Sequence, residues 1–268
     1  MTGTTARRTV VSIAVTAALA CVTACTSADG PTDSTGATDR SEQSLRSVER
    51  ATGRAGSARV ESTTVMGREL SLAADGALGW RDGLTGTLTI TYTGGTTAET
   101  MRRLGTTAME ARYLPDAYYA RMGDAFADRV GGRHWIKYVY ADLESLGDGA
   151  GAGFADQMRK TTPHQAVKQL LASDDVRKVG EETTRGRRTT HWTGTIGGAT
   201  AQTVDIWVDD RDLLVKKVER GRTETGELSQ TAYYSDYGVA VSAERPPAAD
   251  TADFKELLKA QEGGWEGS

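Results

Sequence analysis

The segment Thr87-Leu88-Thr89-Ile90-Thr91-Tyr92-Thr93 alternates strictly between threonine and a larger apolar residue. Because successive side chains of a β-strand point to opposite faces, Leu88, Ile90 and Tyr92 share one face and the threonines share the other. One apolar and one polar face is typical of a strand in an antiparallel sheet that is buried on one side. The segment therefore predicts an antiparallel sheet with one buried face.

Strands of similar length are expected on both sides of this segment, at intervals of about ten residues. Glycine-containing turns separate them, and Gly is frequent in the chain (31 residues) whereas Pro is rare (5 residues). This spacing is typical of an antiparallel meander. The further predicted strands cover residues 57–66, 69–75, 97–104, 107–114, 117–122, 134–140, 176–183, 187–195, 202–208, 213–220 and 227–237.

Three helices are predicted around these strands. The first covers residues 41–51, with Ser41 as its cap. The second begins at Thr162-Pro163, because threonine is a good N-cap and proline suits the first helical position. The third begins at Asp250. Their apolar faces hold Leu45 and Val48 in the first, Ala166, Val167, Leu170 and Leu171 in the second, and Phe254, Leu257 and Leu258 in the third.

These elements predict an α+β fold in which about eleven antiparallel strands form one large curled sheet. A sheet of this many strands must curl or split, and the helices are expected to cover its concave face. Residues 142–160 are Gly-rich and are expected to be part helix and part mobile loop. We expect a single domain over residues 41–260 and a loose tail over 261–268.

The first 24 residues have the pattern of a bacterial lipoprotein signal peptide. Arg7 and Arg8 precede an uncharged, mostly small or apolar run over 9–20. The following Val22-Thr23-Ala24-Cys25 matches a lipobox, in which the cysteine thiol is acylated and the chain is cleaved before it. Residues 25–40 are rich in Ser, Thr, Gly and Asp and predict a flexible tether. Acylated Cys25 would hold the domain at the outer face of the cell membrane.

Two alternatives stay open in this segment. Cys21 could be the acylated residue, although Ala18 before it stands where a lipobox prefers an aliphatic side chain. The pair Arg7-Arg8 is compatible with the general export route and also resembles a twin-arginine signal, without the aromatic residue expected after it. With Cys25 acylated and Cys21 removed, the mature chain has no disulfide.

The charge balance argues against nucleic acid as a partner. The chain has 32 Lys and Arg against 36 Asp and Glu, a formal net charge of −4. A protein that binds phosphate backbones needs a clearly basic surface. The membrane, through the lipid anchor, is the expected partner.

Common catalytic motifs are absent from the sequence. It contains no G-x-S-x-G, H-E-x-x-H, P-loop or C-x-x-C pattern. We therefore expect a protein without catalytic activity and without a cofactor.

The three histidines do not predict a metal site. His134 and His191 each stand beside a tryptophan in a predicted strand and are interpreted as half-buried packing residues. His164 lies at the start of the second helix and is interpreted as exposed. The Asp209-Asp210-x-Asp212 pattern lacks the following glycine and the distant glutamate of a calcium loop and is interpreted as a turn.

Seven basic residues cluster near two predicted turns. We interpret them as an ordinary solvated hairpin, and the alternative is a basic rim that meets anionic headgroups. They are Arg185, Arg187, Arg188, Lys216, Lys217, Arg220 and Arg222.

Seven short segments, in this order along the chain, give it a resemblance to the actinobacterial lipoproteins LppX, LprA, LprF and LprG, whose fold is akin to that of LolA. The resemblance covers about residues 45–258 and implies a half-barrel with helices over an apolar cavity for lipid or lipoglycan acyl chains. It also implies a non-catalytic carrier in the cell envelope. The segments are Gly56–Val60, Gly132–Lys137, Asp174–Gly180, Thr190–Gly194, Val204–Asp209, Tyr234–Gly238 and Pro246–Asp250.

One departure from the family lies in the Gly-rich insert. It is apolar in the lipid carriers, whereas here it is polar from Gly147 to Gly153.

The residues expected to line such a cavity are apolar ones from strands and from the second helix, and an ordinary filled core is the alternative for all of them. A filled core would favour an envelope interaction or sensor module, with an exposed patch near Tyr233, Tyr234 and Tyr237. The expected cavity residues are Leu88, Ile90, Val167, Leu170, Leu171, Val204 and Ile206.

Overall fold

The computed structural model describes residues 34–145, 161–173, 175–197, 201–223 and 225–263 of the chain. Twelve strands lie in these ranges and form one sheet. They are β1 (Ser57–Met66), β2 (Leu70–Gly79), β3 (Thr85–Gly94), β4 (Ala108–Tyr113), β5 (Ala117–Arg121), β6 (Trp135–Val139), β7 (Arg177–Thr184), β8 (Arg187–Ile196), β9 (Gln202–Asp209), β10 (Leu214–Thr223), β11 (Gly226–Ser235) and β12 (Thr251–Asp253).

Helices precede, interrupt and follow the strands. A single 3-10 turn, Ala248–Asp250, leads into β12. The α-helices of the described residues are α1 (Ser34–Ala55), α2 (Gly95–Arg103), α3 (Asp124–Ala127), α4 (Tyr140–Glu144), α5 (Pro163–Leu171) and α6 (Phe254–Gly263).

Strands β1 and β11, which are far apart in the sequence, are neighbours in the interior of the sheet. The strand order is β12-β6-β5-β4-β3-β2-β1-β11-β10-β9-β8-β7, so β1 pairs with both β2 and β11. Every pairing is antiparallel except that of β12 with β6. This α+β architecture, an open curled sheet with few helices, confirms the predicted fold class.

The face of the sheet that contacts the helices is here called the inner face. In the β1–β2–β3 register, Val60 lies opposite Gly76 and Gly76 lies opposite Leu88, so these three residues share that face. Val60 and Leu88 belong to one buried cluster with Leu45 of α1 and Val167 of α5. The strict alternation of β3 is therefore explained by burial of one face, with Thr89 and Thr91 exposed on the other.

The predicted strand over 97–104 is wrong. The chain forms helix α2 there, because Ala98 and Met101 are three residues apart and are buried together on one side of a helical turn. Gly95 starts this helix with a φ of +84°, and a β-carbon at that position would lie 2.5 Å from the Glu69 carbonyl oxygen. The close approach of the two backbones requires glycine.

Both terminal predictions are also corrected. Helix α1 begins at Ser34, so residues 34–40 are helical where a tether was expected. The predicted helix at Asp250 begins only at Phe254, because Thr251–Asp253 extend along β6 as β12.

Several predictions fall on residues outside the described ranges. They concern the signal peptide, Cys21, Cys25, the Gly-rich segment beyond Ser145 and the end of the tail. Among the described helices, none combines the length and apolarity that a membrane span needs.

Candidate ligand-binding face

Helix α5 lies directly on the inner face of the sheet. Its residues Ala166, Val167 and Leu170 are fully or almost fully buried. Gly194 of β8 allows this contact, since a β-carbon there would lie 2.8 Å from Leu170 Cδ1 and 2.8 Å from the Ser173 hydroxyl oxygen. The glycine therefore lets the end of α5 rest against the strand.

Asp175 links the end of α5 to β8. Its carboxylate accepts hydrogen bonds from the Ser173 hydroxyl (2.5 Å), the Thr195 backbone N–H (2.6 Å) and the Thr195 hydroxyl (2.8 Å). These bonds, with that of Ser173 first, lower the pKa of Asp175 from 3.8 to about 2. The ionised carboxylate thus holds the segment after α5 against the sheet.

Replacing Asp175 with Asn is expected to remove stability only where the aspartate is ionised. Because the folded-state pKa lies below the ordinary value, the contribution is present above about pH 4 and is lost as the pH falls through about 2. Urea unfolding should therefore show a lower midpoint for D175N at pH 5 and a smaller difference at pH 2. The exposed Glu227→Gln is the control, and an equal difference for D175N at both pH values would contradict the assignment.

The seven residues expected to line a cavity all belong to one apolar cluster, but they are not equally accessible. Ile90 and Leu171 are only partly buried and pack against the cluster from its side. The other five are at most 4% exposed, which is typical of a packed core. These five are Leu88, Val167, Leu170, Val204 and Ile206.

A half-buried patch extends the inner face beyond this core, and we call it the apolar surface. It consists of Leu72 of β2, Ile90 and Tyr92 of β3, and Met109 of β4. Leu72 lies opposite Tyr92 and Ile90 lies opposite Met109, so the four side chains are contiguous. Leu72, Ile90 and Tyr92 are partly accessible, whereas Met109 is 8% exposed.

Beside this surface, four aromatic rings follow one another from β4 through β5 and β6 to the start of α6. The ring centroids of Tyr113 and Tyr118 are 5.2 Å apart, those of Tyr118 and Tyr138 are 5.7 Å apart, and those of Tyr138 and Phe254 are 4.7 Å apart. Burial raises the pKa of Tyr138 to about 12. Burial also raises the pKa of Tyr113 and of Tyr118, so all three phenols lie in an apolar environment.

None of the seven expected cavity residues lines either of two pockets in the described part of the chain. One has a volume of about 10 Å³ beside α4 and α6, next to Leu143 and Phe254, which is about the space that one water needs. The other is an open polar cleft of about 230 Å³ near Thr106, Glu110 and Arg121. Five of the seven residues instead belong to the buried part of the apolar cluster, at 4% exposure or less.

One member of the predicted basic cluster lies on the inner face. Lys217 is opposite Ile206, a core residue, and forms an ion pair with Glu219 (2.9 Å). The sequence interpretation as a solvated residue is wrong for Lys217, because a register shift between Leu214 and Lys216 moves the following residues to the other face. The run Leu213-Leu214-Val215 before it, three apolar residues without alternation, is a weak signal of such a shift.

Other members of the basic cluster make ion pairs on exposed surface, as an ordinary hairpin would. Arg185 pairs with Glu61 through two hydrogen bonds and lies 3.7 Å from the centre of the Tyr233 ring. Arg188 pairs with Glu181. These contacts favour the interpretation as a solvated hairpin.

The three tyrosines of the alternative hypothesis do not form one exposed patch. Tyr233 contacts Arg185 on the outer face, whereas Tyr234 is 3% exposed in the core. Tyr237 donates a hydrogen bond from its hydroxyl to the Leu214 carbonyl (2.6 Å) and packs against the same core. Tyr233 and Tyr234 are adjacent on β11 and therefore point to opposite faces of the sheet, whereas Tyr237 follows the strand.

His191 bridges two carboxylates on the outer face. Its Nδ1 lies 3.0 Å from Glu182 Oε1 and its Nε2 lies 2.9 Å from Asp205 Oδ1. The ring stacks on Trp207 at 4.2 Å, and Trp207 Nε1 donates to Glu182. The arrangement ties β7, β8 and β9 together and matches the predicted packing role.

The other two histidines have separate roles. His134 contacts Asp250 through Nδ1 (2.7 Å) and through its backbone N–H (2.8 Å), which fixes the entry to β12. His164, expected to be exposed, is half-buried beside Trp80, and burial lowers its pKa. Across the described ranges, no group of three or more His, Cys, Asp or Glu is placed to hold a metal ion.

Known proteins resemble the chain over most of its length. The candidate lipoprotein SCO4650 of Streptomyces coelicolor is 79% identical over 283 aligned positions, which cover 97% of this chain and 99% of that protein. The chain belongs to the family of this lipoprotein. The 31.2 kDa protein of the rplA–rplJ intergenic region of Streptomyces griseus is 49% identical over 80% of this chain and 79% of its own length. No protein-family model matches the chain.

Solved structures show the fold of this lipoprotein family member. Lipoprotein LppX of Mycobacterium tuberculosis superposes with a TM-score of 0.50 at 18% identity, over 77% of this chain and 99% of that one. LprF of Mycobacterium bovis gives a TM-score of 0.49 at 14% identity, over 78% of this chain and 98% of that one. The predicted resemblance to the LppX group of lipoproteins is confirmed.

Proposed function

We propose that this lipoprotein is a non-catalytic protein of the cell envelope that binds an acyl chain on the apolar surface of its inner face. The observation that carries the proposal is the half-buried state of Leu72, Ile90 and Tyr92, contiguous with a large buried apolar cluster. A hydrocarbon chain can bind to apolar side chains that stay partly accessible on a face otherwise covered by helices. The family membership and the LppX fold support the same function.

The burial of the expected residues supports a smaller site than the seven residues predicted from the sequence. Leu88, Val167, Leu170, Val204 and Ile206 fill the interior, so they contribute stability more than ligand contacts. Ile90 remains at the boundary between core and accessible surface. We therefore place the acyl chain along β2–β4 and not beneath α5.

The anchor and the location belong to the same proposal. Residues 1–24 serve as the signal peptide, acylated Cys25 attaches the chain to the outer face of the cell membrane, and residues 41–260 act as one domain. The name of the Streptomyces coelicolor relative supports the lipid anchor. Stable attachment needs the two or more acyl chains that such a cysteine carries.

Ile90→Trp is expected to reduce bound lipid because the larger ring occupies the apolar surface. The amount of co-purified acyl lipid per protein, measured by mass spectrometry of solvent extracts, should fall at least about fivefold, which corresponds to about 1 kcal/mol. Thr91→Trp is the matched control, since it adds the same ring at the next residue on the exposed face. Equal lipid content in the two variants would contradict the placement of the site.

A second candidate function is an envelope interaction module with a filled core. The burial of five of the seven expected cavity residues to 4% exposure or less favours it, as does their absence from the lining of both described cavities. This function predicts that the protein purified from native membranes carries no bound lipid. It also predicts that crosslinking in cells recovers a protein partner.

A further inference from the structure

Strand β7 forms the long free edge of the sheet. In the described part of the chain it has one neighbouring strand, β8, and the strand at the opposite edge, β12, is only three residues long. Strand β7 has eight residues, Arg177–Thr184. The outer side of an edge strand presents backbone N–H and C=O groups that can pair with a further strand. The β7 edge is therefore long enough to accept one.

The charges of β7 are arranged so that the strand complements a reversed copy of itself. The basic pair Arg177-Lys178 precedes Val179-Gly180, and the acidic pair Glu181-Glu182 follows. Two copies that run antiparallel, centred on Val179-Gly180, place each basic pair opposite the acidic pair of the other copy. Opposite charges directly across two antiparallel strands are stabilising.

The register of β7 on β8 puts one basic and one acidic residue on the inner face. Lys178 lies opposite Trp192, a core residue, and Glu181 lies opposite Thr190, which shares the face of Trp192 because the two are two residues apart. Lys178 Nζ is accordingly 3.5 Å from Glu181 Oε1. Residues three apart share a face here because the register shifts at Val179, which has no partner on β8.

The same shift puts the other basic and acidic residues together on the outer face. Arg177 lies opposite Thr193 and Glu182 lies opposite Thr189, and these two threonines share that face. Without the shift, the basic and acidic residues that meet in the antiparallel arrangement would point to opposite faces. With it, both opposite-charge pairs match in face as well as in sign.

The side chains of this edge are accessible to a partner. Lys178, Glu181 and Glu182 have side-chain exposures between 45% and 48%. Val179, at the centre of the charge pattern, is 54% exposed, more than any other large apolar side chain of the described ranges. A second copy would cover this valine and place charged pairs on both sides of it.

We infer that β7 pairs antiparallel with β7 of a second copy of this chain, about a two-fold axis at Val179-Gly180. In a two-fold arrangement every contact occurs twice, so two kinds of charge pair give four pairs. Charged side chains on an edge discourage pairing with other strands, so the same charges that exclude them favour this partner. The inference goes beyond the proposed function and does not depend on a bound lipid.

The expected dimer is weak. One strand from each chain gives a smaller interface than that of a permanent dimer, so we expect a Kd on the order of 10–100 µM. At about 1 µM, a concentration suited to unfolding experiments, the chains would be separate.

Charge reversal across the proposed pair tests the inference, by sedimentation velocity of the full exported chain with Cys25→Ser. K178E and E181K each place like charges opposite one another at two symmetric positions, so each should raise the Kd at least about tenfold. An equimolar mixture of K178E and E181K should return the Kd to within about threefold of the unsubstituted chain, because the facing charges are again opposite.

Two further variants distinguish strand pairing from general charge effects. K178E/E181K in one chain keeps the net charge and should dimerise as the unsubstituted chain does. Arg222→Glu makes the same charge change as K178E at an exposed position of β10 and should leave the dimer unchanged. Circular dichroism checks the folding of every variant. An unsubstituted chain that stays monomeric at about 0.5 mM, or a dimer that folded K178E does not weaken, would overturn the inference.

Discussion

Gly76→Ala is expected to lower the free energy of unfolding by about 3–5 kcal/mol, one of the two largest effects that we predict. Gly76 has a φ of +154°, a backbone conformation that residues with a β-carbon rarely adopt. A β-carbon there would lie 2.1 Å from the Thr87 carbonyl oxygen and 3.0 Å from Leu88 Cα. The clash is with backbone, so β2 and β3 would have to separate where they form the inner face.

The measurement is chemical unfolding followed by circular dichroism. Gly180→Ala is the matched control, because this glycine also lies in a strand and a β-carbon there would meet nothing within 4 Å. We expect Gly180→Ala to change stability by less than about 0.5 kcal/mol. Similar stability of the two alanine variants would contradict the close approach of the β2 and β3 backbones at Gly76.

Ile206→Ala is expected to cost about 3–4 kcal/mol, because Ile206 is completely buried and its truncation leaves a cavity that the core fills only in part. The residue lies on the inner face opposite Trp192 on β8 and opposite Lys217 on β10, in the third strand from the β7 edge of the sheet. If Ile206 instead lined an empty ligand cavity, its truncation would only enlarge that cavity and cost far less. The variant therefore separates a filled core from a preformed void.

Val179→Ala provides the comparison for Ile206→Ala. Val179 is 54% exposed on β7, so the loss of its methyl groups should change stability by less than about 0.5 kcal/mol. A loss of unfolding free energy below about 1 kcal/mol for Ile206→Ala would contradict the filled core. It would favour a ligand site beneath α5 instead.

Much of the fold was predictable from local patterns. The alternation in Thr87–Thr93 identified both faces of β3, and Thr162-Pro163 marked the start of α5. Residues 97–104 were predicted as a strand but form part of helix α2 and its end. The helix buries Ala98 and Met101, three residues apart, on the same side. The parallel pairing of β12 with β6 joins segments more than a hundred residues apart, which no local pattern reveals.

The candidate site was less predictable than the fold. Ile90 was predicted to lie on the buried face of the sheet, but Leu72 was not selected, because its importance depends on which strands become neighbours. The face of Lys217 depends on a one-residue register shift in β10. A shift of one residue moves every later side chain to the other face, so alternation alone misplaces the lysine.

The mass of the folded protein tests the central claim most directly. A Cys25→Ser chain, exported without its lipid anchor and purified without detergent, can be measured by native mass spectrometry and again after denaturation. We predict a native species heavier than the chain by the mass of one acyl lipid, which is lost on denaturation and is strongly reduced in Ile90→Trp. A native species of bare protein mass, from cells that contain their normal membranes, would contradict the proposed binding function.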